Sequence, residues 1–112
     1  MGRYRTAKYR NQRVQYGDQT FDSKRERDRY IDLSLLESAG KISNLRLQPR
    51  YILKCSGEPL RYPSGRKLVY VADFEYEEDG KVVIEDTKGY ATNVYKIKRA
   101  IMEANGYSIR ET

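Results

Sequence analysis

The chain has 112 residues, enough for one small domain, and its apolar content of 38% against 34% charged residues limits it to a modest core. It contains no histidine and a single cysteine, Cys55, which excludes an internal disulfide, a zinc site and any histidine-based acid–base pair or triad. No apolar run approaches membrane length and no signal-type segment is visible, so the expectation is a soluble, cytoplasmic protein with no membrane partner.

The net charge is +6, and it is concentrated at one end. Residues 1–13 hold Arg3, Arg5, Lys8, Arg10 and Arg13 and no acid, while the other 99 residues hold seventeen basic and sixteen acidic groups. Residues 1–15 therefore read as a flexible basic arm with Tyr4 and Tyr9 interleaved, and residues 16–112 as a single domain. Such an arm suits DNA phosphates, with Arg3, Arg5, Lys8, Arg10 and Arg13 as the contacts. The alternative is a solubilising tail, or an edge strand in its last residues.

Tyr16 to Thr20 is turn chemistry. Ser23-Lys-Arg-Glu26 then matches a capping box and opens a helix that runs to about Ala39, stopped by Gly40. Tyr30, Ile31, Leu33, Leu35, Leu36 and Ala39 are its expected apolar face, with Lys24, Arg25, Arg27 and Arg29 mostly outward. Glu26 lies on the inward side. It serves either the capping box or a metal ion as a third carboxylate.

A strand is expected around Leu45 to Leu53, with Pro49 marking an edge or a bulge and Gln48 beside the core. Ser56 to Gly65, rich in Gly and Pro, reads as a loop, and Arg61, Arg66 and Lys67 would form a substrate-facing rim. Tyr70 to Tyr76 and Val82 to Ile84 read as two strands joined at Asp79-Gly80, a strong hairpin signal. With a two-residue loop, Asp73 stands directly across from Asp86; with four residues the two stay on one face, one pair apart; with three, Glu85 replaces Asp86. In the even registers two carboxylates and Lys88 converge on an otherwise apolar face. Like charges there repel, and a hard divalent cation such as Mg2+ relieves the repulsion. Lys88 could then orient a water or stabilise charge on a phosphate. The bland alternative is a solvated hairpin in which Lys88 only pairs Asp86.

Thr92 or Asn93 caps a second helix to about Ala104 or Asn105, ended by Gly106. Val94, Ile97, Ala100, Ile101 and Ala104 are its expected buried stripe, with Lys96, Lys98 and Arg99 away from it. Lys96 could return near the mouth of the site. Tyr107 to Arg110 is a last strand, expected parallel to its predecessor across a right-handed crossover. The order is α-β-β-β-α-β: an α/β fold with a mixed central sheet flanked by helices.

This order, with Phe21-Asp-Ser-Lys-Arg-Glu26, Leu47-Gln-Pro-Arg50, Val71-Ala-Asp-Phe74 and Ile84-Glu-Asp-Thr-Lys-Gly89, resembles the PD-(D/E)XK nuclease superfamily, and within it a family of small phage and prophage proteins of nuclease type. The resemblance spans Phe21 to Glu111. It implies a restriction-endonuclease-like core and a Mg2+- or Mn2+-dependent endodeoxyribonuclease, a phosphodiester hydrolase with no organic cofactor. Asp73, Asp86, Glu26 and the backbone carbonyl of Thr87 would hold the metal, with Lys88 orienting the attacking water. Two departures stand out: Ala72 where a proline is usual, and Asp86 where glutamate is commoner. Structure-specific cutting of branched DNA in phage recombination or replication would be one form of this activity, inside the host cell if the chain is phage-encoded. The competing expectations are a non-enzymatic nucleic-acid binder on the same fold and a protein-interaction subunit. A homodimer is expected for two-strand cutting.

Overall fold

The computed structural model describes residues 13–87 and 91–112. Strands β1 (Val14–Tyr16) and β2 (Gln19–Phe21) form an antiparallel hairpin turned at Gly17. The edge strand that the sequence left open for the last residues of the arm is present as β1.

Helix α1 (Lys24–Ser38) begins where the sequence places it, with the Ser23 hydroxyl accepting from the Glu26 N–H at 3.1 Å. It ends at Gly40, whose φ of +78° lets Gly40 N–H reach Glu37 O and Lys41 N–H reach Leu36 O. Next come β3 (Ser43–Leu47), β4 (Arg50–Ile52), β5 (Lys54–Cys55), β6 (Glu58–Pro59), β7 (Val69–Val71), β8 (Phe74–Glu78) and β9 (Lys81–Asp86). Helix α2 (Asn93–Ala104) is capped by the Thr92 hydroxyl, which accepts from Tyr95 N–H at 3.0 Å, and β10 (Ile109–Glu111) follows.

The main sheet has the order β10-β9-β8-β3. The β9–β10 pair is parallel, as a strand–helix–strand crossover requires, and the other pairs are antiparallel. The β3–β8 ladder continues into β4–β7 without changing register, from Leu47 opposite Phe74 to Arg50 opposite Val71. The interruption falls at Gln48-Pro49, where proline has no N–H to donate and Gln48 takes φ +51°. Of the edge position or bulge expected of Pro49, the structure has the edge, with the register unbroken across it.

Ile84 and Glu85 point to opposite faces of β9, so the sheet has a core on each side. One holds Leu53, Tyr70, Ala72, Ile84, Met102 and Ile109; the other holds Phe21, Leu33, Ile42, Phe74 and Tyr76. Among the described residues the architecture is mixed α/β, with two helices and several small sheets around the four-stranded one. Among the described residues no helix is long and apolar enough to cross a membrane.

Three sequence expectations need correction. On α1, Leu33 is buried but Leu35 is 65% exposed and Leu36 also faces out. The helix packs on β1, β2 and β3 at one side of the fold, so a narrow face suffices. On α2, Val94 and Ile97 are 61% and 60% exposed and Ala100 and Ala104 are exposed too. Of the expected stripe Ile101 does pack on the core; the rest of the inward face is Tyr95, Lys98, Arg99 and Met102, spaced i, i+3, i+4, i+7. The two cations tolerate this because Lys98 donates to Val69 O and Arg99 to Ile109 O and Glu111, while their stems cover apolar surface. Residues 56–65 are not a plain loop: Ser56 and Gly57, both with positive φ, turn a two-residue hairpin between β5 and β6.

Candidate functional site

The β8–β9 hairpin sets the geometry. Asp79 and Gly80 have φ of +53° and +77°, and Glu78 pairs with Lys81, so the loop has two residues. The register then carries Phe74 opposite Glu85, and the next step brings Asp73 opposite Asp86. Of the three loop lengths open in the sequence, the structure has the shortest. The two aspartates are joined directly: Asp73 N–H donates to Asp86 Oδ1 at 3.0 Å and to Glu85 O at 3.2 Å.

Asp86 is fully buried, and its Oδ2 accepts from the Tyr70 hydroxyl. Asp73 is half-buried, and its Oδ2 accepts from Thr87 N–H at 2.7 Å and Thr87 Oγ1 at 2.9 Å. Asp73 Oδ1 accepts no hydrogen bond from the described residues. Across the ladder, Gln48 N–H donates to Asp73 O at 2.9 Å, which pins the first aspartate from the opposite strand. Tyr95 of α2 closes the back of the site with its ring 6.1 Å from that of Tyr70. Burial, the negative charge of Asp86 and the hydrogen bond to Glu111 push the Tyr95 phenol well up.

The remaining expected residues are placed as follows. Glu26 is only 4% exposed at the start of α1, but among the described residues no group of three or more His, Cys, Asp or Glu side chains stands together as one metal ligand set. Glu26 is thus not brought into one cluster with Asp73 and Asp86. Arg13 is exposed just before β1, and Lys96 is exposed on the outer side of α2. Lys88, Arg3, Arg5, Lys8 and Arg10 lie outside the described residues. Of the expected ligands, Asp73 and Asp86 are the two side chains that the structure brings together, and both carry the hard oxygens a divalent cation would need.

The opposite face of β9 holds what the sequence reading missed. Glu85 is fully buried, bound by Arg29 Nε and Nη2 at 2.5 and 3.0 Å, by the Tyr76 hydroxyl at 2.5 Å and by Thr112 Oγ1 at 3.2 Å. Burial would raise the Glu85 carboxyl, but the hydrogen bonds from Arg29 and Tyr76 and the guanidinium charge outweigh it and hold it below its ordinary value. The same contact raises Arg29 further. Arg29, expected outward, is therefore inward, on the face Glu26, Arg29, Tyr30, Leu33. That i, i+3, i+4, i+7 spacing was the available signal.

A family model matches residues 6–112. The chain belongs to DUF1064, a family described as proteins of unknown function. No curated protein and no solved structure matches the chain.

Proposed function

We propose that the chain is a metal-dependent endodeoxyribonuclease on a restriction-endonuclease-like α-β-β-β-α-β core, hydrolysing DNA phosphodiester bonds with Mg2+ or Mn2+. The observation that carries this is the Asp73–Asp86 pair, set side by side at the end of the hairpin with Lys88 two residues on in the sequence. Alternation, if it ran on past Asp86, would give Lys88 the same face. Asp73, Asp86 and the Thr87 carbonyl would hold the ion; Glu26, on the α1 face that carries Arg29 towards Glu85, stands outside that set. The ion supplies Lewis-acid polarisation of the scissile phosphate and stabilises its developing charge. The Lys88 ammonium orients the attacking water for in-line displacement. Tyr70 and the Asp73 N–H fix the Asp86 carboxylate, so its oxygens need no reorganisation when substrate arrives. Arg13 and Lys96, with the cations of residues 1–12, would bind the DNA backbone.

The deciding experiment is cleavage of supercoiled plasmid and of a panel of branched, flapped, single-stranded and duplex DNAs with Mg2+ and Mn2+. Metal-dependent nicking is the expected result. A second reading, a non-enzymatic nucleic-acid binder, is favoured by one observation: both Asp86 oxygens already accept protein hydrogen bonds, and Glu26 stands outside their cluster. Salt-sensitive DNA binding with no cleavage under any condition of the panel would select it.

A further inference from the structure

Residues 50–71 leave the main sheet as a small lobe. β4 and β7 form its stem, and its two tips are the β5–β6 turn and the segment 62–66, where Tyr62 N–H donates to Arg66 O and Gly65 N–H to Tyr62 O. Leu53, Leu60 and Leu68 face the core cluster, and their backbones weave the two tips together through bonds of 2.9 to 3.0 Å. The outside of the lobe is basic. Arg50, Lys54, Arg61, Arg66 and Lys67 are all exposed, and Glu58 is the lobe's single acid.

Arg27, Arg29, Arg46, Arg99 and Arg110 of the body each sit in an ion pair; among the described residues none of the five lobe cations does, a condition they share with scattered body lysines such as Lys41 and Lys81 but here gathered on one small lobe. Arg61 and Lys67 also stand directly across from one another in an antiparallel bridge. Like charges in that position destabilise a ladder, and an anion lying over both removes the penalty. Beside them Arg66 lies over the exposed Tyr62 ring, 5.3 Å from its centroid.

We infer that this lobe is the platform that grips the phosphate backbone of a duplex nucleic acid and leads it to the paired aspartates. The stem meets the sheet at Gln48 and Asp73, so a strand held on the lobe runs beside those carboxylates. A string of evenly like-charged, unpaired side chains suits a phosphate row better than an acidic protein patch, where fixed partner geometry would be needed. The inference rests on the nucleic-acid part of the proposed function and not on turnover.

The test is fluorescence anisotropy of labelled 20-bp duplex DNA and duplex RNA against the full chain in EDTA, across a salt series. Lys54→Ala/Lys67→Ala should lower the slope of log K against log salt by roughly 2 units, at about 0.9 per phosphate contact, on DNA, RNA or both. The charge-matched double Lys41→Ala/Lys81→Ala, from exposed lysines of the body, should leave the slope unchanged. The pair Lys54→Gln/Lys67→Gln repeats the test with fuller side chains, and melting curves confirm folding. Three results overturn the inference: lobe and body doubles behaving alike, no duplex binding by the wild type at low salt, or a lobe-dependent response only to phosphatidylserine vesicles. EDTA keeps the two questions apart: a wild type that binds through the lobe but cuts nothing in the Mg2+ and Mn2+ panel sinks the nuclease alone. One that cuts with an indifferent lobe sinks this inference alone.

Discussion

Four of the eight described tyrosines donate their hydroxyls to carboxylates: Tyr51 to Glu75, Tyr70 to Asp86, Tyr76 to Glu85 and Tyr95 to Glu111. In a chain without histidine, phenols supply the buried neutral donors that hold acids in place. The consequences differ on the two faces of β9. Asp73→Ala and Asp86→Asn should each abolish plasmid nicking while anisotropy shows DNA binding intact, because each loses an anionic oxygen donor but also loses repulsion towards phosphate. Asparagine is the better replacement at 86, since alanine would strand the Tyr70 hydroxyl and the Asp73 N–H. Lys88→Ala should slow cleavage by on the order of 10²-fold. Glu85→Gln, by contrast, is a stability variant. It weakens a buried acid bound by Arg29, which is itself partly exposed, so about 3 kcal/mol is expected at neutral pH, the low end for a broken buried pair. The Glu85 carboxyl is held low in the folded state, so its contribution is complete above its unfolded value near 4.5 and is lost as pH falls through the lower folded value. Melting temperatures of wild type and Glu85→Gln should therefore converge as pH drops below about 4.5. A gap that stays constant down to pH 3 would show that the carboxylate charge is not what stabilises this position.

At the level of elements, the helices invite a sharp comparison. Met102 is fully buried and Val94 and Ile97 face solvent, although all three are apolar residues of one helix. Met102→Ala should cost roughly 2 to 5 kcal/mol, and Val94→Thr or Ile97→Thr should stay within about 0.5 kcal/mol, measured by urea denaturation. If the Val94 and Ile97 changes prove as costly as Met102→Ala, α2 is rotated from the orientation described here. Element boundaries were legible in the sequence because they depend on local chemistry: Ser23 and Thr92 as caps, Gly40 and Gly106 as stops, Asp79-Gly80 as the turn that sets Asp73 against Asp86. Helix orientation was not, because it depends on tertiary partners. Lys98 and Arg99 turn inward only because Val69 O, Ile109 O and Glu111 are there to receive them. Glu85 behaves likewise: alternation correctly put it opposite Asp86, but nothing local revealed Arg29, Tyr76 and Thr112 waiting on that side.

At the scale of the whole molecule, charge is distributed in two concentrations, residues 1–13 with five cations and no acid, and the lobe of residues 50–71 with five cations and one. The rest of the chain carries slightly more acid than base, and many of its arginines are spent in ion pairs. Removing residues 1–13 tests whether the first concentration acts with the second. Residues 1–13 carry no apolar core pattern in the sequence, so the melting temperature should change little. If all five cations contact duplex phosphates, the slope of log K against log salt should shrink by roughly 4 to 5 units. Combining the deletion with Lys54→Ala/Lys67→Ala then reports on geometry. Contacts made independently to one duplex add, giving a further drop of roughly 2 units. A deletion that alone removes all salt-dependent binding would mean that the lobe engages only a duplex already captured by the amino-terminal cations. An unchanged slope with binding intact would assign the phosphate contacts to the lobe and strip the first thirteen residues of that role.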